Sequence, residues 1–195
     1  EKYKGMTMPI DEGVGQIRDT LQELDLDRNT FVLFFSDNGA SRDFPSGSSM
    51  LRGGKGSVYE GGHRVPAIAW WPGRIEARTI SDELCISLDV MPTLLTMAGL
   101  SMPNSRSLDG VDLSPVLFEQ TRLPQRPLYW ASLSNSGARS EAIREGSWKL
   151  VVSHRRATPG TFGNEKVELY HLGRDPAESK DLAAAQPQRA ARMLR

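Results

Sequence analysis

Thr30-Phe31-Val32-Leu33-Phe34-Phe35-Ser36 runs straight into Asp37-Asn38-Gly39. The apolar run, bounded by polar residues, predicts a strand buried on both faces. Open α/β sheets bind their ligands at the carboxyl ends of strands, so Asp37 and Asn38 fall where chemistry is expected. Both side chains offer oxygen, which suits a hard cation such as Ca²⁺ or Mg²⁺. Gly39 frees the backbone to turn, and a turn lets both oxygens converge on one ion. The same three residues are common in plain turns, and the tripeptide alone leaves both readings open.

Downstream lies Leu51-Arg52-Gly53-Gly54-Lys55-Gly56-Ser57-Val58-Tyr59-Glu60-Gly61-Gly62-His63-Arg64-Val65-Pro66. Lys55 has a glycine on each side, and glycines let a backbone approach a ligand closely. Arg52, Lys55, His63 and Arg64 gather potential cations in one short loop, and ammonium and guanidinium groups suit tetrahedral oxyanions. A hard-metal site followed by such a loop suggests a bound sulfate or phosphate ester. Alone, the loop also reads as a solvated surface segment. Two look-alikes fail. A P-loop needs Ser or Thr directly after Gly-Lys and a glycine at position 49, where this chain has Gly56 and Ser49. A kinase-type loop needs a third glycine where Tyr59 stands.

Together, Ser36-Asp37-Asn38-Gly39 and the 51–66 stretch resemble the C-terminal half of a type I sulfatase of the arylsulfatase kind. The resemblance continues through Ser87-Leu88-Asp89-Val90-Met91-Pro92-Thr93-Leu94-Leu95, Leu108-Asp109-Gly110-Val111-Asp112-Leu113, Glu168-Leu169-Tyr170 and Asp175-Pro176. It implies that Asp37 and Asn38 help bind Ca²⁺ (or Mg²⁺) and that Lys55 contacts the sulfate. Arg64 matches a recurrent arginine of the loop and is carried over as substrate-binding only, not catalytic. The family's nucleophile is a formylglycine made from Cys or Ser in a Cys/Ser-x-Pro/Ala-x-Arg motif. Cys85 is followed by Ile86-Ser87-Leu88-Asp89, which lacks both the small residue and the arginine. It is expected as a buried structural thiol. The resemblance therefore implies a fragment without its nucleophile, first metal carboxylates or catalytic histidine.

The 195 residues suffice for one large or two small domains. With 38% hydrophobic and 25% charged residues the composition is that of a globular protein. The 24 basic and 24 acidic residues cancel, so no global charge favours nucleic acid or an anionic membrane. No apolar run approaches the roughly 20 residues of a membrane span. The chain opens at Glu1 without an initiator Met, so the lack of a visible secretory signal carries no information. The compartment stays unknown, and the family resemblance implies a periplasmic or secreted one.

Residues 1–9 read as an irregular entry. Val14, Ile17, Leu21 and Leu24 recur at helical spacing over residues 11–26. Residues 40–50 read as a loop. Residues 65–71 read as a second buried strand, with Trp70 and Trp71 as core rather than sugar-stacking residues. Residues 80–86 are a short strand or extended segment. Residues 89–98 read as a helix capped by Asp89, stopped by Gly99, with Met91, Leu94, Leu95 and Ala98 as its apolar stripe. Asp109 and Asp112 read as turn and cap before a short helix at 114–118. After Pro127 the pattern changes to strands at 128–132, 141–145, 148–153 and 167–172. Gly146-Ser147 makes a hairpin, a loop holds Pro159, Gly160 and Gly163, and a helix fills 187–195. His154 and His171 read as ordinary hydrogen-bonded residues.

The expected fold class is α/β: part of an alkaline-phosphatase-like sheet with flanking helices over residues 1–126, then a small antiparallel sheet with a C-terminal helix over 127–195. The expected function is that of a sulfuric ester hydrolase acting on a small-molecule or carbohydrate sulfate ester, with the isolated fragment inactive. A phosphoric or phosphonic ester hydrolase of the same superfamily and a non-catalytic scaffold homologue stay open as alternatives. Half a sheet leaves an edge open to self-association.

Overall fold

Strand-forming residues cluster after Pro127, and there the chain builds its larger sheet. The computed structural model describes residues 2–41, 50–101, 107–133, 139–154 and 165–195. Most of the expected 40–50 loop, part of the 101–112 linker and the loop with Pro159, Gly160 and Gly163 lie outside the described residues. Contacts divide the chain into two units: Glu1–Phe34 with Ile68–Pro124, and Phe35–Ala67 with Gln125–Arg195. The sequence expectation grouped 35–67 with the earlier residues; by contact it falls with the later ones.

In the first unit, α1 (Lys2–Glu23) replaces the irregular entry expected over residues 1–9. Pro9 lies inside it. Lysine and methionine are good helix formers, and the helix continues on both sides of the amide that proline lacks. β1 (Val32–Phe35) and β2 (Ala67–Trp70) pair in a two-stranded sheet. Neither strand is buried on both faces as expected: Phe34 and Phe35 are each 40% exposed and Ile68 is exposed too. Two strands offer too little neighbouring surface to cover both sides. Trp71 behaves as the expected core residue. Its ring packs 5.8 Å from Phe31 and 6.1 Å from Phe118, and its Nε1–H donates to the Arg28 carbonyl at 2.9 Å.

Residues 80–86 form no strand. Cys85 is exposed, not buried, with its thiol 3.5 Å from the Glu83 carbonyl. A segment without a partner strand has no sheet to bury it. α3 (Val90–Met97) follows a short 3₁₀ turn, Ser87–Asp89, and Gly99 leaves it at φ 68°. Asp89 is fully buried but does not cap α3. Its carboxylate accepts the amides of Ile86 and Val111, each at 2.9 Å, and so ties the 107–113 segment to the helix start. Met91 and Leu94 of the expected stripe are exposed, whereas Pro92 and Thr93 are buried. Asp112 acts as predicted: it accepts the Ser114 amide at 2.8 Å at the start of α4 (Ser114–Glu119).

The second unit holds α2 (Glu60–His63), a single helical turn within the expected loop, and an antiparallel sheet in the order β3 (Pro127–Leu133), β4 (Arg139–Glu145), β5 (Trp148–His154), β6 (Glu165–His171). Trp, Val, Ile, Tyr and Leu supply its strands. Gly146-Ser147 closes the β4–β5 hairpin, with Gly146 at φ 58° and Glu145 paired to Trp148. Side chains alternate strictly between faces. Leu150 and Leu169 face Ala190 and Met193 of α5 (Pro187–Met193). Ala142, Val151 and Tyr170 face Val58 of the glycine-rich loop, with Tyr59 and Trp130 alongside.

Leu169 is fully buried between sheet and helix. Leu169→Ala is expected to destabilise the protein by about 2–5 kcal/mol in urea denaturation. Ile68→Ala, at an exposed site, is expected to change stability by less than about 0.5 kcal/mol.

Candidate active site

Asp37 and Asn38 follow β1 directly, and Gly39 and Ala40 dock onto the glycine-rich loop. The Gly39 amide donates to the Gly62 carbonyl at 2.9 Å, and the Lys55 amide donates to the Ala40 carbonyl at 2.9 Å. These two bonds join the stretch carrying the oxygen donors to the stretch carrying Lys55. They need bare backbone. A Cβ on Gly39 would lie 1.8 Å from the Gly61 carbonyl oxygen, and one on Gly62 would lie 2.0 Å from that of Ser57. Inside the loop, the Gly61 amide donates to Arg52 at 2.7 Å and the Ser57 amide to Gly54 at 2.9 Å. Gly53 and Gly56 adopt φ 83° and 81°, a region that favours glycine.

Asp37 is exposed and Asn38 half-buried. The Asn38 side-chain amide donates to Asp37 Oδ1, and Ser36 Oγ donates to the Asn38 carbonyl at 2.8 Å. The chemistry of this pair fits a hard cation: a carboxylate and a carboxamide oxygen are its preferred donors. Two donors are fewer than the six to eight that Ca²⁺ takes. Among the described residues, no group of three or more His, Cys, Asp and Glu side chains is placed to hold a metal.

The four cations singled out in the loop have different fates. Arg52 is taken up by the sheet: its Nη1 donates to Tyr170 Oη at 2.5 Å, its Nη2 lies 3.3 Å from Glu168, and its guanidinium stacks 3.9 Å over Tyr59. Burial alone would raise the Glu168 carboxyl. Bonds from Lys166, Tyr59 and Tyr170, with the charge of Arg52, instead hold it down to about 2. Burial, with Glu168 beside it, pushes the Tyr59 phenol up to about 12. His63 stacks on Trp130 at 4.2 Å, and its Nε2 lies 3.0 Å from Lys149 Nζ and 3.1 Å from the Val58 carbonyl. Burial, then the Lys149 charge, lowers His63 to about 4, so the ring is neutral. Arg64 is exposed and lies 3.9 Å from Glu60. Lys55 is exposed, and its ammonium has no partner among the described residues.

Beneath the loop sits an ionic cluster that the sequence reading missed. Lys149 on β5 is 0% exposed, 2.9 Å from Glu60 Oε1 and 3.0 Å from Glu178 Oε1. The Glu178 contact is an ion pair. Arg144 lies 3.3 Å from Glu60 Oε2. Burial would raise the Glu60 carboxyl, but Lys149 and Arg144 hold it below its ordinary value. Burial pushes the Glu178 carboxyl up, and Lys149 only partly offsets this. The available signal was local: a lysine inside the apolar run Trp148-Lys149-Leu150-Val151-Val152, on the face where a glutamate and a tyrosine recur in β6.

Comparison with known proteins gives a consistent picture. A family model described as Sulfatase matches residues 1–100, and one described as N-sulphoglucosamine sulphohydrolase, C-terminal, matches residues 54–193. The chain is 40% identical to human N-acetylgalactosamine-6-sulfatase, with 94% of this chain and 39% of the relative covered. It is 37% identical to human arylsulfatase A, with 90% and 38% covered. The chain thus spans about two fifths of the length of the curated relatives it matches. Among solved structures, Ps i-CgsB in complex with k-i-k-neocarrahexaose superposes with a TM-score of 0.84 at 28% identity, covering 98% of this chain and 41% of that one. The phosphonate monoester hydrolase of Agrobacterium radiobacter shares the fold, with a TM-score of 0.70 at 24% identity over 97% of this chain and 38% of that one.

Gly39→Ala is expected to cost about 1–3 kcal/mol, because the clashing atom is backbone and cannot rotate away. Gly13→Ala, in α1 with open space around it, is expected to be neutral or stabilising. Denaturant midpoints of the two variants check the contrast. His63 predicts a pH dependence with a definite sign. Its folded value lies below the unfolded one near 6.5, so the unfolded chain takes up the proton first. That stability is complete above pH 6.5 and is lost as pH falls towards 4, by roughly 2 kcal/mol between pH 7 and pH 5. His63→Gln is expected to flatten this slope in urea melts at the two pH values.

Proposed function

We propose, on the premise that this chain belongs to the sulfatase family, that its full-length parent is a sulfuric ester hydrolase and that residues 37–64 form part of its site. The observation that carries this reading is the pair of backbone bonds joining Gly39 and Ala40 to Gly62 and Lys55. They tie two hard oxygen donors and an ammonium without a partner among the described residues into a single stretch of joined backbone. Lys55 stabilises negative charge on the sulfate oxygens as the ester S–O bond breaks. Its flanking glycines leave room for the anion beside the backbone. Arg64, exposed at the end of α2, is a weaker candidate for the same anion.

Asp37 and Asn38 are the residues that would hold part of a Ca²⁺ or Mg²⁺ site, the remaining donors coming from beyond the described residues. When bound, the cation supplies Lewis-acid polarisation of the ester oxygens. The nucleophile on this reading is a formylglycine outside this chain, since the surroundings of Cys85 do not match the motif. The chain alone is therefore expected to be inactive.

The substrate class is a sulfate ester on a small molecule or a carbohydrate; the carbohydrate-bound Ps i-CgsB neighbour favours a sulfated glycan. The fold alone does not separate sulfate from phosphonate esters, because a phosphonate monoester hydrolase shares it. The two family matches tip the reading to sulfate. Among the described residues no helix is long and apolar enough to cross a membrane.

In the full-length parent, Lys55→Ala is expected to lower kcat for an aryl sulfate by about 10²-fold or more. Asp37→Ala is expected to weaken Ca²⁺ binding measured by calorimetry. Normal turnover by the Lys55 variant, or faster turnover of an aryl phosphonate than of the matching sulfate, would remove the assignment.

A further inference from the structure

Glu178 touches both flanks of the loop that carries Lys55. It lies after β6 and is fully buried. Its carbonyl accepts from Arg52 Nη1 at 3.1 Å, at the start of the loop. Its Oε2 accepts the Glu60 amide at 2.7 Å, at the loop's far end. Its Oε1 lies 3.0 Å from Lys149 Nζ, which anchors it to β5. The residue holds φ 53°, a conformation uncommon outside glycine that persists only when its surroundings fix it. Between the two held flanks, the Gly61 amide closes the loop onto the Arg52 carbonyl at 2.7 Å.

We propose that Glu178 is a positioning residue: its buried carboxylate pins the Glu60 amide and fixes the left-handed turn whose carbonyl receives Arg52, so that the Gly53–Gly56 backbone presents Lys55 in one place. The proposal rests on the reading of Lys55 as the sulfate-contacting group. Glu178 itself touches no substrate and acts through the loop. Small displacements of a charge-stabilising group reduce turnover more than binding.

Two readouts test it. In the full-length enzyme, E178A is expected to lower kcat for an aryl sulfate at least tenfold while KM moves by less than about threefold. In this chain, amide exchange over residues 52–63 is expected to speed up at least tenfold, while residues 142–151 stay within about twofold of wild type. A second variant, E178M, covers the case in which E178A does not fold: it refills the volume the carboxylate leaves, and Lys149 keeps Glu60 as its counter-charge. The same loop-selective exchange and kcat loss are expected of it. Wild-type kcat and wild-type exchange in a folded variant overturn the proposal. So does exchange that rises equally in loop and sheet, which marks a purely structural role. Normal kcat in K55A is a separate result: it overturns the reading of the site, whatever the exchange over 52–63 shows.

Discussion

A buried ammonium must find its counter-charge inside the protein, and Lys149 finds it in the glycine-rich loop. With Lys149 and Glu60 both fully buried and 2.9 Å apart, neither can be solvated, so each is held by the other. Removing one partner of such a pair is far more damaging than removing both. The consequence is topological. Glu60 comes from the loop and Lys149 from β5, about ninety positions later, so the sheet and the loop form one structure and neither can be understood alone.

Alternation along the strands explains how the sheet serves two partners. Leu150 and Leu169 turn to α5, while Lys149, Val151, Glu168 and Tyr170 turn to the loop. The α5 face is apolar and makes an ordinary core. The loop face mixes Val58 and Tyr59 with charges, because a glycine-rich loop offers few side chains but many carbonyls and amides. Arg52, Tyr59, Tyr170 and Glu168 satisfy one another there, and Ser132 Oγ donates to the Gly56 carbonyl at 2.7 Å. The loop is thus fixed by polar contacts to a rigid sheet, which is how a flexible composition becomes a defined surface.

What was legible in the sequence was local. The β4–β5 hairpin announced itself through Gly146-Ser147 between alternating strands, α5 through its run of helix formers, and the Asp112 cap through its position before Ser114. What was not legible depended on distant partners. The run from Thr30 to Ser36 looks like a doubly buried strand, but burial is a property of neighbours, and among the described residues β1 pairs with β2 alone. Asp89 sits where a cap belongs, yet its carboxylate serves Ile86 and Val111 instead. Glu178 gave no signal at all, because its role follows from a left-handed turn and from residues over a hundred positions away. The glycines of the loop were legible as glycines with a reason: Gly39, Gly61 and Gly62 sit where another backbone approaches too closely for a Cβ.

The loop and its underlay contain several cations, and the way they are paired bears on function more than their number. Arg52 is committed to Glu168 and Tyr170, Arg144 and Lys149 to Glu60, and His63 is neutral between Lys149 and Trp130. Each of these is held in the fold. Lys55 and Lys149 differ in surroundings: one is exposed with no carboxylate beside it among the described residues, and the other is fully buried against two. Among the described residues these cations are compensated, whereas the Lys55 ammonium, between two glycines, has no counter-charge and keeps a field that favours an anion. Glu168, Glu60 and Glu178 neutralise Arg52, Arg144 and Lys149, so the charges that stabilise the fold leave the field at the loop surface to Lys55 and the exposed Arg64.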